Sequence, residues 1–240
     1  MNAGGGWGSN KIDNSFSPGA CNAPAIICAE AFPDFVAPLA GLFDIHSTGF
    51  IGGGQAGYNY QNGAFLWGIE TDFQGTNIKG NTSTSASFVF PPPAVPGILA
   101  VATSTGSEKL DWLGTLRGRL GWIPTPPLLV YATGGLAYGR VQTGASFSLQ
   151  ESNNGVPLSA GLTAVSQSDT RAGWTVGGGL EWMFAPQWSV KGEYLYYDLG
   201  TVTLNQTLAI LSISPGSPGI FVNVNVQSTA RYTGNIARLA

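Results

Sequence analysis

The sequence predicts an all-β fold: an eight-stranded antiparallel transmembrane β-barrel with four long loops on one side and short turns on the other. Three observations predict it. Several segments of about ten residues alternate apolar and polar side chains with a period of two, as strands do between two different solvents. Only 10% of the 240 residues are charged, against about 25% in water-soluble domains. Yet no apolar run reaches the roughly 18 residues of a membrane helix. The longest candidate, 88–102, is interrupted by Pro91, Pro92, Pro93 and Pro96. A chain too poor in charge for an ordinary soluble surface, and without a spanning helix, is satisfied by a closed barrel in lipid.

The elements follow in order. Residues 2–8 are a short glycine-rich piece carrying Trp7. Residues 50–61 set Phe50, Ala56, Tyr58 and Tyr60 against Gln55, Asn59 and Gln61. Residues 65–74 alternate Phe65, Trp67, Ile69 and Phe73 with Glu70, Asp72 and Gln74. In 111–122, Trp112, Leu116, Leu120 and Trp122 oppose Asp111, Thr115, Arg117 and Arg119. Trp112, Leu116 and Leu120 also fit a helical stripe, but Gly114, Gly118 and Gly121 speak against a helix. Residues 128–139 place Val130, Leu136 and Tyr138 opposite Tyr131 and Thr133. Residues 171–184 place Trp174, Val176, Leu180, Trp182 and Phe184 opposite Arg171, Thr175 and Glu181. Residues 188–197 place Trp188, Val190, Tyr194 and Tyr196 opposite Lys191 and Glu193. Residues 229–240 form a last, weaker strand of unassigned parity.

Between Phe50 and Tyr197 no charge falls on the aromatic side of a strand centre; Arg140 and Asp198 fall at strand ends. A soluble sheet would bury the aromatics and expose the charges. Here large aromatics flank the apolar face at both ends, as interfacial girdles do. The ten residues from Trp112 to Trp122, at about 3.3 Å each and a tilt near 40°, span roughly 25 Å, the height of a barrel's apolar band. Turns at Asn62-Gly63, 123–127 and 185–187 are short, whereas 9–47, 76–110, 142–170 and 201–228 read as long loops. The whole chain, 1–240, reads as one barrel domain.

Inward-facing charges are Glu70, Asp72, Arg117, Arg119, Glu181, Lys191 and Glu193. Mixed signs favour an ion-paired plug over a selectivity ring of one sign, and eight strands leave room for little more than side chains. Residues 52–57, GGGQAG, match a dinucleotide fingerprint, but Tyr58-Asn59-Tyr60 follows where that motif needs a helix. The glycines read as close packing instead. His46, the only histidine, stands beside Asp44 and Ser47, and a catalytic or heme- or metal-ligating role is the lesser reading. No catalytic, cofactor or metal site is expected. Cys21 and Cys28, the only cysteines, suggest a disulfide in an exported protein. No basic cluster points to nucleic acid. No leader is visible in 1–10, so the chain reads as a mature or trimmed form. The loops are unusually apolar: Phe32, Phe35, Phe43, Phe88, Phe90, Ile220 and Phe221 form a candidate contact surface for a partner or a second copy.

The stretches GFIGGGQAGYNYQNGAFLWGIETDF, WLGTLRGRLGW, LLVYATGGLAYG and GWTVGGGLEWMFAPQWSVKGEYLYYDLG resemble the small eight-stranded outer-membrane proteins of Gram-negative bacteria. The nearest group is the porin-like, opacity-type surface antigens, which include hemin-binding members. The resemblance implies an outer-membrane location and an inward-facing Arg238, bringing the lumen to four charges of each sign. It also implies a full first strand and a last strand with a terminal aromatic. MNAGGGWG and GNIARLA depart from that, so both end strands read as shortened. The function read from this is a non-enzymatic structural and surface-interaction protein in outer-membrane lipid. The alternatives are a narrow porin or hemin-uptake protein, a soluble lipocalin-like carrier, and a lipid hydrolase.

Overall fold

The computed structural model describes residues 1–21, 40–89, 98–212 and 220–240. The described residues build one antiparallel sheet: β1 (Asn2–Cys21), β2 (Gly41–Asn62), β3 (Phe65–Thr76), β4 (Lys79–Val89), β5 (Ile98–Thr125), β6 (Leu128–Asn153), β7 (Val156–Ala185), β8 (Trp188–Ser212) and β9 (Ile220–Leu239). β3 and β4 both run between β2 and β5. They are one wall position interrupted at Asn77-Ile78, so the ring has eight positions, as the alternation predicts. β1 closes it, pairing with β9 from Ala3↔Leu239 upward and with β2 from Asn2↔Gly53 upward. Asn2 stands opposite Gly53, while β2 continues to Asn62 along β3.

The lower half follows the expected parity. Phe50, Tyr58, Tyr60, Phe65, Trp67, Leu120, Trp122, Trp174, Trp182 and Trp188 point outward and are exposed. In water that would be costly, at roughly 25 cal/mol per Å² of apolar surface. In lipid it is the stabilising arrangement. Phe50, Phe73, Trp112, Tyr138, Trp174 and Tyr196 mark the upper edge of this band, and Tyr60, Phe65, Trp122 and Trp182 the lower edge. Glycines bring neighbouring backbones close. A Cβ on Gly53 would lie 2.1 Å from the Phe73 carbonyl oxygen, and one on Gly57 2.8 Å from that of Ile69. The GGGQAG stretch is therefore a strand whose glycines seat it against β3.

Above the band the structure departs from the sequence reading. Much of what reads as long loop is strand. β6 and β7 continue without interruption to a turn at Asn154-Gly155, both with positive φ (48° and 82°), the conformation that favours Asn-Gly in a two-residue hairpin. The physical reason is a change of solvent. Along β6, Leu129, Tyr131 and Ala137 face inward below, and Val141, Phe147 and Leu149 continue the same inner row above. The outer row changes instead, from Val130, Leu136 and Tyr138 to Gln142, Ser146, Ser148 and Gln150. The upper wall is thus polar outside, around an apolar core that includes Phe147, Leu149, Val202, Leu204, Leu208, Ile210, Val224 and Val226. Val202, Leu204, Leu208, Ile210, Val224 and Val226, in a stretch that reads as loop, belong to the inner row of strands.

Besides register shifts near the strand ends, two bulges within the described wall adjust the pattern. The β5–β6 register shifts between Leu110 and Trp112, and the β8–β9 register between Asp198 and Thr201, where Gly200 has φ of 79°. At each, the inner row changes from odd to even positions.

Candidate functional site: a charged lumen network

The inward charges read from alternation come from the lower halves of β3, β5, β7 and β8, and Arg238, placed inward by the resemblance, from β9. Arg117 is the centre, with a side chain 0% exposed. Its Nη2 donates to Glu70 Oε1 at 2.7 Å and Asp72 Oδ2 at 2.9 Å, its Nη1 to Glu193 Oε1 at 3.0 Å, and its Nε to Thr115 Oγ1 at 2.9 Å. Arg238 donates from Nε to Glu193 Oε2 at 2.7 Å and from Nη2 to Asp72 Oδ2 at 2.8 Å. Lys191 Nζ donates to both oxygens of Glu70, at 2.9 and 3.1 Å. The six charged side chains among these, reaching across the lumen from β3, β5, β8 and β9, form one buried cluster.

Arg119 and Glu181 form its lower rim. Arg119 Nη2 lies 2.5 Å from Glu181 Oε2, its Nη1 3.9 Å from Glu70 Oε2, and its guanidinium 3.7 Å from the Tyr131 ring centroid. Ser189 Oγ donates to Glu181 at 2.8 Å. Tyr131 Oη donates to Glu193 at 3.0 Å, and Gln74 to Asp72 at 3.0 Å. Tyr131, Gln74, Thr115 and Ser189 take part although sequence reasoning did not single them out. Their inward parity was the available signal. The run Gly177-Gly178-Gly179 gains a reason as well: a Cβ on Gly179 would lie 2.6 Å from the Tyr131 hydroxyl. Ionised groups this deep require partners, and every charge here has at least one opposite charge within 4 Å.

A second buried polar cluster was missed. Above the aromatic edge, Glu108 accepts from Asn10 Nδ2 at 3.0 and 3.1 Å, and Thr143 and Tyr232 hydroxyls lie 2.9 Å apart. The bulge beside Asp111 hides Glu108, because counting by twos down from Arg117 points it the wrong way.

Of the proposed contact surface, Phe43 is corrected. It sits on β2 at an inner-row position, beside Ile12, Asn14 and Ser104, not on an outer loop. Phe32, Phe35 and Phe90 lie outside the described residues, as do the side chains of Phe88, Ile220 and Phe221. Cys28 lies outside them too, and Cys21 ends β1. His46 is exposed on the outer row of β2, opposite Ser9. Among the described residues no group of three His, Cys, Asp or Glu side chains is arranged to hold a metal ion.

An antiparallel eight-position ring, apolar outside and charged inside over the same stretch of wall, defines a membrane-spanning β-barrel. The family and sequence comparisons agree. Residues 1–214 match the model of the outer membrane protein beta-barrel domain, and the chain belongs to that family. It is 42% identical over 164 residues to the 31 kDa outer-membrane immunogenic protein of Brucella melitensis, covering 68% of this chain and 59% of that protein. It is 29% identical over 155 residues to a 22 kDa outer membrane protein of Rhizobium leguminosarum, covering 65% and 55%. The chain thus spans less than two thirds of the length of these relatives. Among solved structures, Ail of Yersinia pestis aligns over 99% of this chain and 97% of its own, with 12% identity and a TM-score of 0.27. The protein is an outer-membrane β-barrel protein of the bacterial envelope.

Proposed function

We propose that this is a non-enzymatic envelope protein whose lumen is closed by its ion-pair network and whose outward extension meets the surroundings of the cell. The observation that carries the reading is Arg117: one guanidinium engages carboxylates from β3 and β8, on two sides of the lumen, with no exposed side-chain surface. A conducting path would need those contacts opened, leaving buried charges without partners. Phe32, Phe35, Phe88, Phe90, Ile220 and Phe221 supply the apolar surface for a partner or a second copy. The name of the Brucella relative, an immunogenic outer-membrane protein, supports exposure at the surface.

The test is planar-bilayer recording from the folded full chain. The expected result is no steady open state. A reproducible, ion-selective conductance would replace this reading with a narrow porin.

A further inference from the structure

The ten lysines and arginines divide into two sets. Arg117, Arg119, Lys191 and Arg238 are in the lumen. The other six come just above the upper aromatic edge: Lys11, Lys79, Lys109, Arg140 and Arg231 lie on the outer wall, whereas Arg171, opposite Gly139, has inner-row parity and donates from Nη1 to the Thr201 carbonyl at 3.1 Å. Lys11 comes four residues after Trp7, Lys79 six after Phe73, Lys109 three before Trp112, Arg140 two after Tyr138 and Arg171 three before Trp174. Arg231 pairs with Thr201, five residues after Tyr196. No lysine or arginine lies lower on the lipid-facing wall or higher on the extension. A collar at this height meets the headgroups of the outer leaflet.

The collar is not uniform. Arg171 lies 3.2 Å from Asp169, Arg231 2.5 Å from Asp198, and Lys11 stands opposite Asp44 in register. Arg171 and Arg231 are each ion-paired, and Lys11 has a carboxylate opposite it in register. On β4, β5 and β6 the balance fails. Lys79 and Lys109 stand directly opposite each other on one face, an arrangement that opposes strand pairing. Lys109 Nζ lies 2.7 Å from Asp111, and Arg140 Nε lies 3.8 Å from the same carboxylate. Three cations share one anion, an excess of two positive charges. Immediately below, Trp112 packs against Phe73 at 5.4 Å and against Tyr138 at 6.1 Å between ring centroids. A cationic patch over an aromatic platform, at the boundary between lipid chains and headgroups, matches an amphiphile with an anionic head.

We propose that Lys79, Lys109 and Arg140 hold the phosphate ester of an outer-leaflet lipid whose chains lie on Phe73, Trp112 and Tyr138. The bound phosphate supplies the missing counter-charge and relieves the Lys79–Lys109 opposition. Exposed cations at a membrane surface each add a modest, salt-sensitive attraction, so three converging on one headgroup select a specific lipid position.

The experiment titrates diphosphoryl lipid A into the folded full chain in a neutral detergent, with bound lipid counted by native mass spectrometry. The Lys79→Gln/Lys109→Gln/Arg140→Gln chain should lose about tenfold in affinity for the first lipid. A Lys11→Gln/Arg231→Gln chain, changed elsewhere on the collar, should lose less than about twofold. Dephosphorylated lipid A should bind the unmodified chain as weakly as lipid A binds the triple variant. Heat-modifiable gel mobility checks folding, and Lys79→Gln alone, which leaves the Lys109–Asp111 pair, should give a partial loss if the triple variant does not fold. Equal binding by the triple variant, equal loss in the Lys11/Arg231 chain, or indifference to the phosphates would overturn the proposal. Displacement of the lipid by inorganic phosphate at matched concentration would make this a soluble-anion site and overturn it too.

Discussion

The Asn10 side-chain amide donates to both oxygens of Glu108, at 3.0 and 3.1 Å, inside the barrel above the upper aromatic edge. Burial pushes the Glu108 carboxyl up from its ordinary value, offset only in part by hydrogen bonds from Ser47 and Asn10. A carboxyl with a higher pKa folded than unfolded binds protons preferentially in the folded chain. Its contribution is fully present below the ordinary carboxylate range and is lost as pH rises through the raised value. Glu108→Gln should therefore match the unmodified chain in stability in acid and exceed it at neutral pH. Paired unfolding curves in lipid vesicles at both pH values check this. A stability difference independent of pH would show that Glu108 titrates normally.

Arg117 and Arg119 should differ in cost. Replacing Arg117 by Ala leaves Glu70, Asp72 and Glu193 short of a buried partner, and should destabilise by about 3–5 kcal/mol. Arg119→Ala should cost clearly less, because its main partner Glu181 is 24% exposed and keeps Ser189. Urea unfolding of the vesicle-embedded variants reads both, and equal losses would mean that the lower rim is as dry as the centre.

The membrane section was legible because lipid imposes a one-sided pattern over ten residues at a time. Phe65 to Gln74 and Trp112 to Trp122 show their faces by counting. The lumen set was legible for the same reason: few explanations exist for two arginines in a stretch bounded by tryptophans. The upper wall was harder to read, since its polarity is reversed. Val222-Asn223-Val224-Asn225-Val226 alternates as clearly as any lower strand, but its apolar row faces inward. Asn154-Gly155 carried the same turn signal as Asn62-Gly63 and was passed over inside an assumed loop. Bulges beside Asp111 and at Gly200 broke the count just where the solvent changes.

The upper core should behave as the interior of a soluble barrel. Phe147, 1% exposed, packs edge-on against Phe16 at 5.5 Å. Phe147→Ala should cost about 3–5 kcal/mol, felt in the extension. Limited proteolysis of vesicle-embedded protein should then cut above the aromatic edge while the membrane section stays protected. Unchanged protease resistance would show that this core does not hold the extension together.

The tips carry two further expectations. Non-reducing peptide mapping should find Cys21 and Cys28 in one linked peptide; recovery of two free thiols from protein of an oxidising compartment would refute the pairing. Changing Phe88, Phe90 and Phe221 together to Ser should abolish self-association or partner binding while leaving heat-modifiable mobility intact. Unaltered association would restrict the tips to a self-packed cap.

The two bulges also set a rule for how this wall can change length. Within β6 an inserted residue would turn Tyr131 and Thr133 toward lipid and Val130 toward the charged lumen, so only paired insertions keep both faces. Beside Asp111 and at Gly200 a single extra residue is already accommodated, with the flanking rows restored on either side. Away from the strand ends, where further register shifts lie, length variation by odd numbers should therefore collect just above the aromatic edge, and by even numbers in the rest of the wall.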